Sequence, residues 1–129
     1  MSRGFLLLLV LSVVAATAHA SNNAWMYGNQ PTASSYTPNP LHSYNPAGGP
    51  ITVQRFAAGV YRVTFGNLVT MTGHHANVQV TPYGNGNANC HVMDWVTTAP
   101  PNFITHVRCY NNTNNVNVDT EFTLLVTFK

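Results

Sequence analysis

Asn89 to Tyr110 reads NCHVMDWVTTAPPNFITHVRCY and holds both cysteines of the chain, Cys90 and Cys109. Between them lies a turn signal, Ala99-Pro100-Pro101-Asn102. Folding the segment back there as an antiparallel hairpin, with Cys90 opposite Cys109, sets His91 against Arg108 and Val92 against Val107. It also sets Met93 against His106 and Asp94 against Thr105. Side chains alternate faces along a strand, so Cys90, Val92, Val107 and Cys109 share one face. A disulfide beside an apolar pair suits the interior of a sandwich. The closed loop of about 20 residues would stabilise the fold by roughly 3 kcal/mol in the loop-entropy account. The competing reading is two buried free thiols.

Outward from this hairpin the chain reads as strands and turns. Tyr61, Val63 and Phe65 alternate with Arg62 and Thr64, and Ala57-Ala58-Gly59 supplies a tight turn back to Ile51–Phe56. Val78 and Val80 alternate with Asn77, Gln79 and Thr81, and Gly84 to Asn87 is a turn by composition. After the polar turn Asn111 to Asn115, a long strand from Val118 to Lys129 carries Phe122, Leu124, Val126 and Phe128 on one face. Ala24 to Tyr27 fits a short first strand, followed by an extended, partly irregular stretch to Gly49 rich in Pro, Asn and Ser. No segment has a convincing helical period. The predicted fold is all-β, a two-sheet antiparallel β-sandwich with one disulfide, Cys90–Cys109, formed by residues 21–129 as a single domain.

Residues 1–20 read as a signal peptide. Arg3 supplies the positive start, Phe5 to Leu11 opens the apolar run, and Ala18-His19-Ala20 is a small-x-small cleavage site. The run is too short for a membrane span, which needs about 20 apolar residues. Cleavage after Ala20 makes the protein secreted and extracellular, where two cysteines in a small chain ordinarily pair. Charge is scarce: five Lys and Arg stand against three Asp and Glu, a net of +2 at pH 7. No basic stripe exists for phosphates, which argues against nucleic acid as a partner. A surface so poor in charge also favours self-association.

Trp25, the run Pro31 to Pro38, Gly59 to Phe65, Val78 to Gly84, Cys90-His91-Val92 with Trp95, and Val107 to Tyr110 form a familiar order. So do Asp119 and Phe122-Thr123 near the end. Over nearly all of 24–128 the chain resembles an uncharacterised exported bacterial β-sandwich domain, found singly or in tandem in secreted actinobacterial and myxobacterial proteins. The spacing of the two cysteines is the most specific part. The resemblance implies a β-sandwich in an extracellular setting and implies no activity.

Parts for catalysis are missing from the sequence. No Gly-x-Ser-x-Gly elbow or cofactor loop occurs, and both cysteines are committed to each other. Asp119 and Glu121, two apart on a strand, would share a face at about 7 Å, a spacing suited to paired carboxylates. Their place beside a polar turn makes solvated acids the simpler reading; they are also the weak candidates for a metal, with no spaced oxygen-ligand loop beside them. His91 and His106 form a diagonal cross-strand pair that could ligate a metal, against the plainer reading of two surface histidines. The expectation is no enzyme, no cofactor and no assigned metal.

One constellation stands out. In the simple hairpin register His91, Met93, Trp95, His106, Arg108 and Tyr110 share the face opposite the disulfide, a candidate ligand face rich in stacking groups. Three readings follow. The first is an extracellular module for adhesion or matrix interaction, meeting a glycan or a protein surface. The second is a glycan-binding domain centred on Trp95. The third is a self-assembling subunit that donates its N-terminal segment, 21–49, to a neighbour.

Overall fold

The computed structural model describes residues 22–72, 75–84, 86–97 and 101–129. The expected signal peptide lies outside these residues, as do His74 and the first half, Ala99-Pro100, of the double-proline turn.

Among the described residues nine strands form two antiparallel sheets. The strands are β1 (Asn23–Gly28), β2 (Ser35–Tyr36), β3 (Ser43–Tyr44), β4 (Ile51–Ala57), β5 (Val60–Phe65), β6 (Ala76–Tyr83), β7 (Ala88–Val96), β8 (Phe103–Asn111) and β9 (Glu121–Phe128). One sheet runs β3-β1-β9-β6 and the other β2-β4-β5-β8-β7. The period-2 patterning decides which face each strand turns inward. Tyr61, Val63 and Phe65 of β5 are buried, as are Phe122, Leu124, Val126 and Phe128 of β9. Phe103, Thr105, Val107 and Cys109 of β8 complete the inner face. The Tyr61 and Phe122 rings meet across the two sheets at 5.1 Å. Met26 and Ala24 of β1 are fully buried against them.

Cys90 and Cys109 are disulfide-bonded, with an S–S distance of 2.02 Å, and both face the core. Replacing both by alanine should lower unfolding free energy by about 3 kcal/mol, because the open 19-residue loop raises the entropy of the unfolded chain. Urea unfolding at constant m-value checks this; an unchanged midpoint would show that the bridge is incidental.

Three expectations change. β9 starts at Glu121, not Val118, because the Val118 amide donates to the Cys109 carbonyl (3.1 Å) and ties the preceding residues to the other sheet. Val69–Thr72 makes a single helical turn, and Leu68 beside it is fully buried at the end of the core. The stretch read as extended and partly irregular to Gly49 also contains two short paired strands, β2 and β3. β1 sits between β3 and β9, pairing Asn23–Gly28 with residues 122–127, and β2 pairs with β4. Donating this segment to a neighbour would mean withdrawing an inner strand from its own sheet.

Candidate functional site

The hairpin keeps the expected register from Cys90↔Cys109 to Val92↔Val107 and then slips. A bulge at Met93 sets Asp94 opposite His106, Trp95 opposite Thr105 and Val96 opposite Ile104. The expected pairs Met93 with His106 and Asp94 with Thr105 therefore do not form. A one-residue slip exchanges faces beyond it. Trp95 moves to the side of the buried Thr105, at the end of an edge strand, where the residue is 44% exposed. The candidate ligand face thus loses its tryptophan and gains an acid.

The groups left on that face are occupied with one another. Asp94 Oδ1 lies 2.5 Å from His106 Nδ1, and Arg62 Nε–H donates to His106 Nε2 (3.2 Å). That pair of contacts places the ring proton on Nδ1. Arg62 also lies over the Phe56 ring, 4.7 Å from its centroid, so one row spans β4, β5, β8 and β7. In a second cluster Arg108 donates to Asn117 Oδ1 (2.7 Å) and sits over the Tyr110 ring, 5.6 Å away. His91 meets Tyr110 edge-on at 5.6 Å. Both nitrogens of His106 are engaged, which leaves no ring lone pair for a shared metal with His91.

Asp119 and Glu121 also part company. Asp119 accepts from Arg55 Nε (2.9 Å) and Nη2 (2.8 Å), from the Gly59 amide (2.8 Å) and from the Tyr61 hydroxyl (2.9 Å). Its side chain is only 18% exposed, so it is not the solvated acid that its polar surroundings suggested. The Arg55 guanidinium, helped by Gly59 and Tyr61, holds the Asp119 carboxyl below the usual carboxylate range against the cost of burial. Burial, and then the bond to Asp119, raise the Tyr61 phenol. Glu121 instead accepts the Tyr27 hydroxyl on the outside of the four-stranded sheet. Among the described residues the two carboxylates have different hydrogen-bond partners. Among the described residues no three His, Cys, Asp or Glu side chains group to hold a metal ion.

The outer face of the four-stranded sheet carries a different set. Because Ala24, Met26 and Gly28 point inward, Trp25 and Tyr27 point outward. Trp25 is flanked by Tyr44 on β3 and Leu125 on β9, and Leu125 by Gln79 on β6. The next row runs Tyr27, Thr123, Thr81, and Tyr83 lies opposite Glu121. The Tyr27 ring meets Tyr83 edge-on at 5.2 Å and His42, on a short 3-10 turn (Pro40–His42), at 6.3 Å. The bond to the Glu121 carboxylate pushes the Tyr27 phenol up to about 12. Trp25, Tyr44 and Tyr83 are 38%, 42% and 58% exposed. Among the described residues, no hydrogen bond uses the Trp25 indole N–H or the Tyr44 and Tyr83 hydroxyls.

The sequence signal for this face was present in the alternation of Trp25 and Tyr27 with Ala24, Met26 and Gly28, and of Tyr83 with Val78 and Val80. That alternation alone does not reveal the face, because nothing local says that β1 and β6 flank the same strand. Compared with protein-family models, with curated proteins and with solved structures, the chain matches none. Function therefore rests on the geometry.

Proposed function

We propose that the protein is a non-enzymatic extracellular module for adhesion or matrix interaction, and that the outer face of the four-stranded sheet is its contact surface. One observation carries the reading: three half-exposed rings, Trp25, Tyr44 and Tyr83, stand on one sheet face with their polar groups uncommitted. Large rings left partly in water retain apolar area that a partner can cover. The opposite sheet presents arginines and histidines already engaged with their neighbours. The Cys90–Cys109 bridge is consistent with an oxidising, extracellular setting. Among the described residues no helix is long and apolar enough to cross a membrane.

The test is sedimentation of the purified protein with insoluble extracellular matrix and with washed bacterial cells. The parent and Trp95→Ala should co-sediment alike, while Trp25→Ser/Tyr83→Ser should lose about tenfold in apparent affinity. Equal sedimentation by the double variant, with its folded circular dichroism intact, would sink this assignment of the surface.

A further inference from the structure

We infer that the face bearing Trp25, Tyr27, Tyr44 and Tyr83 binds a neutral polysaccharide, with pyranose rings lying against the aromatic side chains. The inference rests on the reading of that face as the contact surface and adds the chemistry of what it meets.

Charge singles out the ligand class. In β1, β3, β6 and β9 the only Asp, Glu, Lys, Arg or His is Glu121, and the Tyr27 hydroxyl already donates to it. The other sheet contains Arg55, Arg62 and Arg108 together with His91 and His106. A sulfated, phosphorylated or uronate polymer needs cationic donors, and the four strands supply none. A strongly cationic partner would need more than one carboxylate. A polymer without charge is the complement of a face whose strands carry one carboxylate, itself already bonded to Tyr27.

The side-chain chemistry agrees. A pyranose presents C–H groups on its faces and hydroxyls round its rim, so it needs an aromatic plane with amides and hydroxyls beside it. Trp25 and Tyr83 supply planes, and Gln79, Thr81 and Thr123 surround them on adjacent strands. Within the aligned rows Leu125 is the single aliphatic side chain, and the rest are rings, amides, hydroxyls and the Glu121 carboxylate. Tyr27 is held in place by Glu121 and by the edges of Tyr83 and His42, which lowers the ordering cost of binding.

The two tryptophans make the test direct, since Trp25 and Trp95 are the only ones in the chain. Trp95→Phe leaves Trp25 as the sole indole reporter, and Trp25→Phe leaves Trp95. Each is titrated with neutral hexasaccharides of the cellulose, xylan, mannan and chitin series, and with heparin and polygalacturonate as charged controls. Trp95→Phe should show a saturable emission shift with at least one neutral sugar, unchanged by added salt. Adding Tyr83→Ala, an exposed edge-strand change, should weaken that binding about tenfold.

Silence from every neutral sugar overturns the inference, as does binding confined to the charged polymers and abolished by salt. A response seen only in Trp25→Phe overturns it too and returns the site to Trp95. If the sugars are silent while Trp25→Ser/Tyr83→Ser still loses sedimentation, the contact surface stands and its partner is a protein or a second copy of the chain. If that double variant sediments like the parent, both readings fail.

Discussion

Gly59→Ala is expected to lower the unfolding free energy by about 4 kcal/mol, combining a left-handed backbone penalty with overpacking. Gly59 turns the chain between β4 and β5 at φ +64, where an L side chain is strained. A Cβ there would lie 2.2 Å from the Cys109 carbonyl oxygen and 2.8 Å from the Val118 amide nitrogen. Those atoms are held by their own bonds: the Cys109 amide donates to the Gly59 carbonyl (2.7 Å), and the Val118 amide to the Cys109 carbonyl (3.1 Å). Relief would require the turn to leave both β8 and the approach to β9. Gly48→Ala is the matched control, with φ +75 and no atom within 4 Å of the added carbon, and should cost only about 1 kcal/mol. Urea midpoints at unchanged m-value compare the two; equal losses would show that the crowding is imagined.

Asp119→Ala is expected to cost a similar amount, about 4 kcal/mol, by taking the acceptor from the Gly59 amide and the buried Tyr61 hydroxyl as well as from the part-buried Arg55 guanidinium. It removes four accepted hydrogen bonds at once and leaves Arg55, at 29% side-chain exposure, without its carboxylate. Asp119→Asn keeps an oxygen for Gly59 and Tyr61 but loses the ion pair, and should cost about half as much. pH separates charge from shape. The folded-state carboxyl lies below its unfolded value of about 3.9, so its contribution is complete above that pH. It is lost as pH falls through the lower folded value. The parent should weaken progressively below about pH 4, and Asp119→Asn should show a shallower fall over the same window. Parallel curves from pH 7 to pH 2 would show that the ion pair contributes no net stability.

Sequence alone carried much of the architecture because it depends on local period and on one covalent bond. Alternation in 60–65, 76–83 and 121–128 identified the inward residues before any pairing was known. The cysteine spacing set the β7–β8 register through Val92. It could not foresee the bulge at Met93, since an extra residue in one strand leaves no mark on composition. That single slip dismantled the face built around Trp95 and joined Asp94 to His106. Asp119 misled for a related reason. Its neighbours in the chain are polar, but Arg55, Gly59 and Tyr61 reach it from about sixty residues away.

What the sequence determined by itself is the class of fold, the bridge and the inner face, each of which follows from spacing along the chain. Beyond the β4–β5 and β7–β8 hairpins, only the tertiary structure decided which strands are neighbours. Strand order brings Tyr44, Trp25, Tyr27 and Tyr83 onto one face, with Glu121 as its single strand carboxylate, from segments far apart in sequence. No local pattern encodes that adjacency, because it is set by how two sheets share one core.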